Sequence, residues 1–100
     1  MDGTAYVSKI GKTAFFTINN GAHLSAISKN TSYSVGTIPE GYRPRSTLRV
    51  QPLLTNGWGN ISTTYPLQLV LNSNGVVQIL GAVDYPSTNG IYADVSYPIP

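Results

Sequence analysis

Apolar residues recur at every second position in several separate stretches of this chain, and at no helical spacing that persists. In KTAFFTINNG, Ala14, Phe16 and Ile18 alternate with Thr13, Phe15 and Thr17, and the Asn-Asn-Gly that follows has the residues of a positive-φ turn. That pattern predicts a strand ending at Asn19. Ahead of it, AYVSKIGKTA predicts a strand entering a tight hairpin at Ile10 and Gly11. Phe15 stands on the polar parity, which predicts that this second face is also covered by something.

Further along, Leu48 and Val50 share one parity while Arg45, Thr47, Arg49 and Gln51 share the other, the mark of a half-buried strand with its arginines outside. LQLVLNSNGVVQIL predicts a hairpin: Leu67, Leu69 and Leu71 alternate, Asn72 to Gly75 turn, and Val77 and Ile79 resume in the returning strand. In GIYADVSYPI, Ile91, Ala93, Val95 and Tyr97 alternate against Tyr92, Asp94 and Ser96. With a shorter strand at residues 32–38, these make about seven to eight strands, the spacing of an all-β antiparallel β-sandwich, jelly-roll-like, as a single domain over residues 1–100. Residues 21–31, 55–66 and 84–90 are expected to be irregular, and long loops in a small sandwich often carry function.

TIPEGYRPRSTLRVQP places three of the chain's six Lys+Arg beside three prolines. Pro39 presets a turn, Gly41 can take a positive φ, and Pro44 forces Arg43 into an extended conformation, so this stretch predicts a rigid reversal rather than a phosphate nest. The remaining cations are scattered and the net charge is only +2, which argues against nucleic acid as a partner. No cysteine is present, removing disulfides, thiolate catalysis and cysteine-ligated zinc. No apolar run has the length of a membrane span, and MDGTAYVSK lacks the basic start and apolar core of a signal peptide, so a soluble chain with no membrane insertion is expected.

Ile38-Pro39-Glu40-Gly41-Tyr42-Arg43-Pro44, followed by a strand, then Asn74, Gly75, Val77 and Ile79 in a hairpin, then Ile91, Tyr92, Tyr97 and Pro98 at the close, resembles the C-terminal head modules of bacteriophage tail-tip, baseplate and receptor-binding (tail fibre) proteins. The opening YVSKIGKTAFFTI resembles the first hairpin of such modules. The resemblance spans most of the chain, through structural rather than catalytic motifs. It implies a β-sandwich assembled as a homotrimer on a virion appendage with other phage tail proteins, exposed to the extracellular medium and docking onto bacterial cell-surface saccharide. It also implies a partner for Phe15 on a neighbouring subunit; a lone exposed aromatic is the plain alternative.

The only acids are Asp2, Glu40, Asp84 and Asp94, and His23 is the only histidine. Glycoside hydrolysis needs two facing carboxylates, and only Asp84 with Asp94 offers itself. No spacing supports a serine triad through His23, and neither a transition-metal nor a calcium site is spelled out. No enzyme, no cofactor and no metal are therefore expected. A saccharide site is easier to assemble, because a sugar presents an apolar face and a hydroxyl rim. In TNGWGN, Trp58 stands between two glycines with Asn56 and Asn60 beside it. Tyr85, Asp84 and His23 on the other loops complete the candidate ligand set, and Arg49 would join a site formed between subunits. Trp58 as a core or interface anchor is the competing expectation, and with it a structural baseplate or fibre subunit with no sugar ligand.

Overall fold

A computed structural model describes residues 5–24, 26–55, 61–62, 67–82, 84 and 88–100. Among these there is no helix, and nine strands form two antiparallel sheets. Strands β1 (Ala5–Ile10), β2 (Thr13–Leu24), β9 (Thr88–Pro98), β5 (Leu53–Thr55) and β6 (Ile61–Ser62) make the first sheet, in that spatial order. Strands β3 (Ser32–Thr37), β8 (Val76–Gly81), β7 (Leu67–Leu71) and β4 (Leu48–Val50) make the second. The short β5 and β6 raise the strand number above the seven to eight expected; β5 joins the first sheet by pairing Leu54 with Ile91 of β9.

The alternation does what the sequence implies. Ala14, Phe16 and Ile18 of β2 and Ile91 and Tyr97 of β9 face Leu67, Leu69 and Leu71 of β7 and Val77 and Ile79 of β8 in one shared core. Phe15 sits half-buried on the outer face of the first sheet, opposite Ser8 and Ser96. Tyr6 and Ile10 of edge strand β1 share that face and are 51% and 78% exposed. Burial holds the Tyr97 phenol above its ordinary pKa, while its hydroxyl donates to Tyr42 O at 2.6 Å. Because ionisation is easier in the unfolded chain, this residue's stabilising contribution is full below about pH 10 and is lost as the pH rises through the higher folded value. Urea denaturation in alkaline buffers will show a steeper loss of stability for the native sequence than for Tyr97→Phe, which at neutral pH costs about 1 kcal/mol.

Several sequence expectations shift, and strands occupy part of each stretch expected to be irregular: β2 to Leu24, β6 at Ile61–Ser62 and β9 from Thr88. The first hairpin turns at Gly11 and Lys12, one residue later than expected, because Ile10 pairs with Thr13 and Gly11 supplies the single positive φ of +59° that a type II′ loop uses at its first position. The Asn-Asn-Gly sequence does not end its strand. β2 continues to Leu24, and the register jumps from Ile18–Ala93 to Ala22–Ile91, so residues 19–21 form a bulge. The long β9 gives β2 a partner beyond Asn19, and ladder pairing prevails over local turn chemistry.

The sandwich has two unlike poles. At one, backbone and arginine hydrogen bonds lace the turns together: Ile38 N–H donates to Gly75 O at 2.7 Å, Arg45 N–H to Pro98 O at 3.1 Å, and Ile99 N–H to Lys12 O at 2.9 Å. Arg43 Nε donates to Ile38 O at 2.9 Å and Arg45 Nη2 to Ile99 O at 3.4 Å, while the Lys9 ammonium lies 4.9 Å from the centre of the Tyr42 ring. The Pro-Glu-Gly-Tyr-Arg-Pro segment is thus a fold device, and its Arg43, with Arg45 just after it, acts on carbonyls. The other pole collects the strand ends that bracket residues 25–31, 56–60, 63–66 and 82–87.

Candidate functional site

Asn56, Trp58, Asn60 and Tyr85 lie outside the described residues. His23 lies on β2 between the Ala22–Ile91 and Leu24–Thr88 pairs; its side chain is outside what is described. Asp84 is exposed and its Oδ1 accepts the Lys29 N–H at 2.9 Å. The structure does not bring Asp84 and Asp94 together. Asp94 projects from the outer face of the first sheet, where its Oδ1 accepts from Thr17 Oγ1 at 3.2 Å, whereas Asp84 serves the turn that leads into β3.

That turn is tied down at three successive residues. Ser28 N–H donates to the Tyr33 hydroxyl at 3.0 Å, Lys29 N–H to Asp84, and Asn30 N–H to Gly81 O at 2.8 Å. The Ser28 hydrogen bond favours the Tyr33 phenolate and lowers its pKa below the ordinary value. Asn30 takes a left-handed φ of +56°, a conformation that asparagine tolerates better than most residues. The consequence is positional, because Asn30 is set on the rim of a cavity of about 480 Å³ at this pole.

The cavity opens where β4 and β8 end and β7 begins, with Arg49, Gln51, Gln68 and Asn30 around it, Val50 and Leu80 as partly exposed apolar surface, and the core residue Leu67 behind them. Its volume falls in the range of roughly 300–1,000 Å³ common for small-molecule sites. Arg49 pairs by register with Val70, and its Nη1 donates to Gln68 Oε1 on β7 at 3.1 Å. Since a guanidinium only donates, this bond fixes which end of the Gln68 amide faces it and leaves the NH2 group turned elsewhere. The polar row continues along the outer face of the second sheet, where Asn72 Nδ2 donates to Gln78 Oε1 at 3.0 Å. Val70 is 4% exposed although it belongs to this outer face, with Arg49 and Gln78 as its cross-strand neighbours.

A second, apolar groove of about 320 Å³ runs between the two edge strands β1 and β3, lined by Val7, Phe16, Val35 and Ile38. Among the described residues no cluster of three His, Cys, Asp or Glu side chains is placed to hold a metal ion, and no helix is long and apolar enough to cross a membrane.

Sequence reasoning put Arg49 on an outer face but did not find its pairing with Gln68 or the role of Asn30. The available signal was the polar parity of Arg49 and Gln68 on two short strands, which becomes a site only once β4 and β7 are known to be neighbours. Comparison with protein-family models and with curated proteins finds no match for this chain.

Proposed function

We propose that this chain is a non-catalytic adhesion module of a bacteriophage tail appendage, which binds host cell-surface saccharide reversibly and acts as a homotrimer. One observation carries the reading: the cavity at the loop-bearing pole combines apolar surface from the partly exposed Val50 and Leu80 with donors and acceptors from Arg49, Gln51, Gln68 and Asn30, a pairing suited to the apolar face and hydroxyl rim of a sugar. The phage resemblance supports it independently, through the Pro39 to Pro44 reversal and the Asn74-Gly75 hairpin. Single contacts are weak in this mechanism. Three copies on one appendage raise the avidity by about 10²–10⁴ through effective concentration.

A glycan array followed by calorimetry against purified cell-wall polysaccharide tests this, with solution mass measured on the same samples. Native protein is expected to bind as a trimer, and Trp58→Ala to bind about tenfold more weakly, ~1.4 kcal/mol, at unchanged mass. The absence of saccharide binding by the native trimer sinks the reading. The runner-up is a structural baseplate or fibre subunit whose surfaces are protein interfaces, and the exposed Tyr6 and Ile10 beside Phe15 favour it. Loss of the trimer in Trp58→Ala would point there.

A further inference from the structure

We propose that the cavity at the loop-bearing pole takes an acidic sugar, one carrying a carboxylate, with Arg49 reading the charge. This rests on the saccharide-binding reading above and goes further, because it names the chemical class of the ligand and the residue that selects it.

The argument begins with charge. Arg49 is the only charged side chain among the described residues around the cavity, and its partner there is a neutral amide, Gln68. A guanidinium held by an amide keeps its full positive charge unneutralised and has further N–H groups to offer, arranged as a planar fork that matches a planar carboxylate. Gln68 does two things at once. Its Oε1 anchors Nη1 of Arg49 at 3.1 Å, which limits the rotamers the long side chain must lose on binding, and its NH2, turned away from Arg49, stays free of that bond as a further donor. Asn30, fixed by the Asn30 N–H to Gly81 O bond of 2.8 Å, and Gln51 supply side-chain amides that can both donate and accept, as sugar hydroxyls require. The apolar side, the partly exposed Val50 and Leu80, suits the C–H face of a pyranose ring.

A single cation favours a single negative charge. A phosphate monoester carries close to two charges at neutral pH and would bring an excess that no other described residue lining this cavity offsets. A neutral sugar would leave Arg49 without its counter-charge and gain only the hydroxyl contacts.

The test uses methyl β-D-glucuronide, methyl β-D-glucoside and inorganic phosphate, titrated into the full chain while backbone amide resonances are followed by NMR. The glucuronide is expected to bind at least tenfold more tightly than the glucoside, to move the resonances of Asn30, Gln68, Gly81 and Ala82, and to lose part of that preference in high salt. Arg49→Gln is expected to bind both glycosides equally, and Arg49→Lys to keep only a minor part of the preference, because it retains charge and loses the fork. Arg49 is exposed, so both variants should keep the native amide spectrum, and that spectrum is recorded first. Equal binding of glucuronide and glucoside by the native chain overturns the charge assignment and leaves the broader saccharide reading intact. Phosphate binding as tightly as glucuronide at the same residues overturns the sugar carboxylate in favour of a general anion contact. If neither glycoside shifts these resonances while the sample still binds cell-wall polysaccharide, the inference fails alone; if the polysaccharide binding is also absent, both readings fail.

Discussion

Gly75→Ala is expected to destabilise the fold by about 3 kcal/mol, combining left-handed backbone strain of about 1–2 kcal/mol with a steric clash. Gly75 has a φ of +94°, and a Cβ built there would stand 2.7 Å from Ile38 O and 3.0 Å from the Arg43 guanidinium carbon. Relief requires moving the β7–β8 turn away from the Pro39 to Pro44 reversal, and that breaks the Ile38 N–H to Gly75 O bond or displaces Arg43 from Ile38 O. Gly36→Ala is the matched control. Among the described residues nothing lies within 4 Å of a Cβ at Gly36, and its φ is not in the left-handed region, so its effect should stay within about 1 kcal/mol of zero. Midpoints of urea denaturation for the two variants measure the difference. An equal shift for both would show that the packing of Gly75 against Arg43 and Ile38 is not what the turn depends on.

Leu69→Ala is expected to cost as much or more, about 3–4 kcal/mol, which for a chain of this size lowers the melting temperature by roughly 12–32 °C. Leu69 is fully buried and stands between Val50 of β4 and Ile79 of β8, at the centre of the second sheet's inner face. Truncation removes apolar area and leaves a hole that neighbours on three strands cannot close without shifting their ladders. Calorimetric unfolding checks the figure, and a shift below about 5 °C would contradict the packing described here. Gly75 lies at the pole opposite the cavity, so below its melting temperature Gly75→Ala should bind the glucuronide as the native chain does, which separates loss of fold from loss of site. Leu69 pairs with Val50 of the cavity wall, and its truncation is expected to disturb both.

Much of the fold was legible because its core is written in period two. Leu67, Leu69 and Leu71 with Val77 and Ile79 announce their own hairpin, the partners being adjacent in the chain and joined by a turn whose Gly75 supplies the positive φ. The Asn19 to Gly21 bulge was misread for the opposite reason. Its outcome depends on β9, some 70 residues away, and no local signal reports that a ladder partner waits there. The site suffers the same limit more severely. Arg49 meets Gln68 only through the β4–β7 register, and Asn30 is placed by a turn that Asp84 holds from 55 residues further on. Short polar strands and distant carboxylates look alike in a sequence whether or not they converge. Glycine-flanked Trp58, by contrast, draws the eye, yet it and Asn56, Asn60 and Tyr85 fall outside the described residues.

The placement of β9 bears on mechanical load. It runs between β2 and β5 from the loop-bearing pole to the laced pole, where Pro98 O and Ile99 N–H are held by Arg45 and Lys12. Antiparallel ladder bonds lie perpendicular to the strand axis. Tension pulling the Pro98 end against an anchor at the opposite pole would therefore shear the flanking ladders together instead of unzipping them one bond at a time. A module gripping a surface at one end and hauled from the other would yield late and abruptly, with its rupture force set by β2 and β5 acting in parallel.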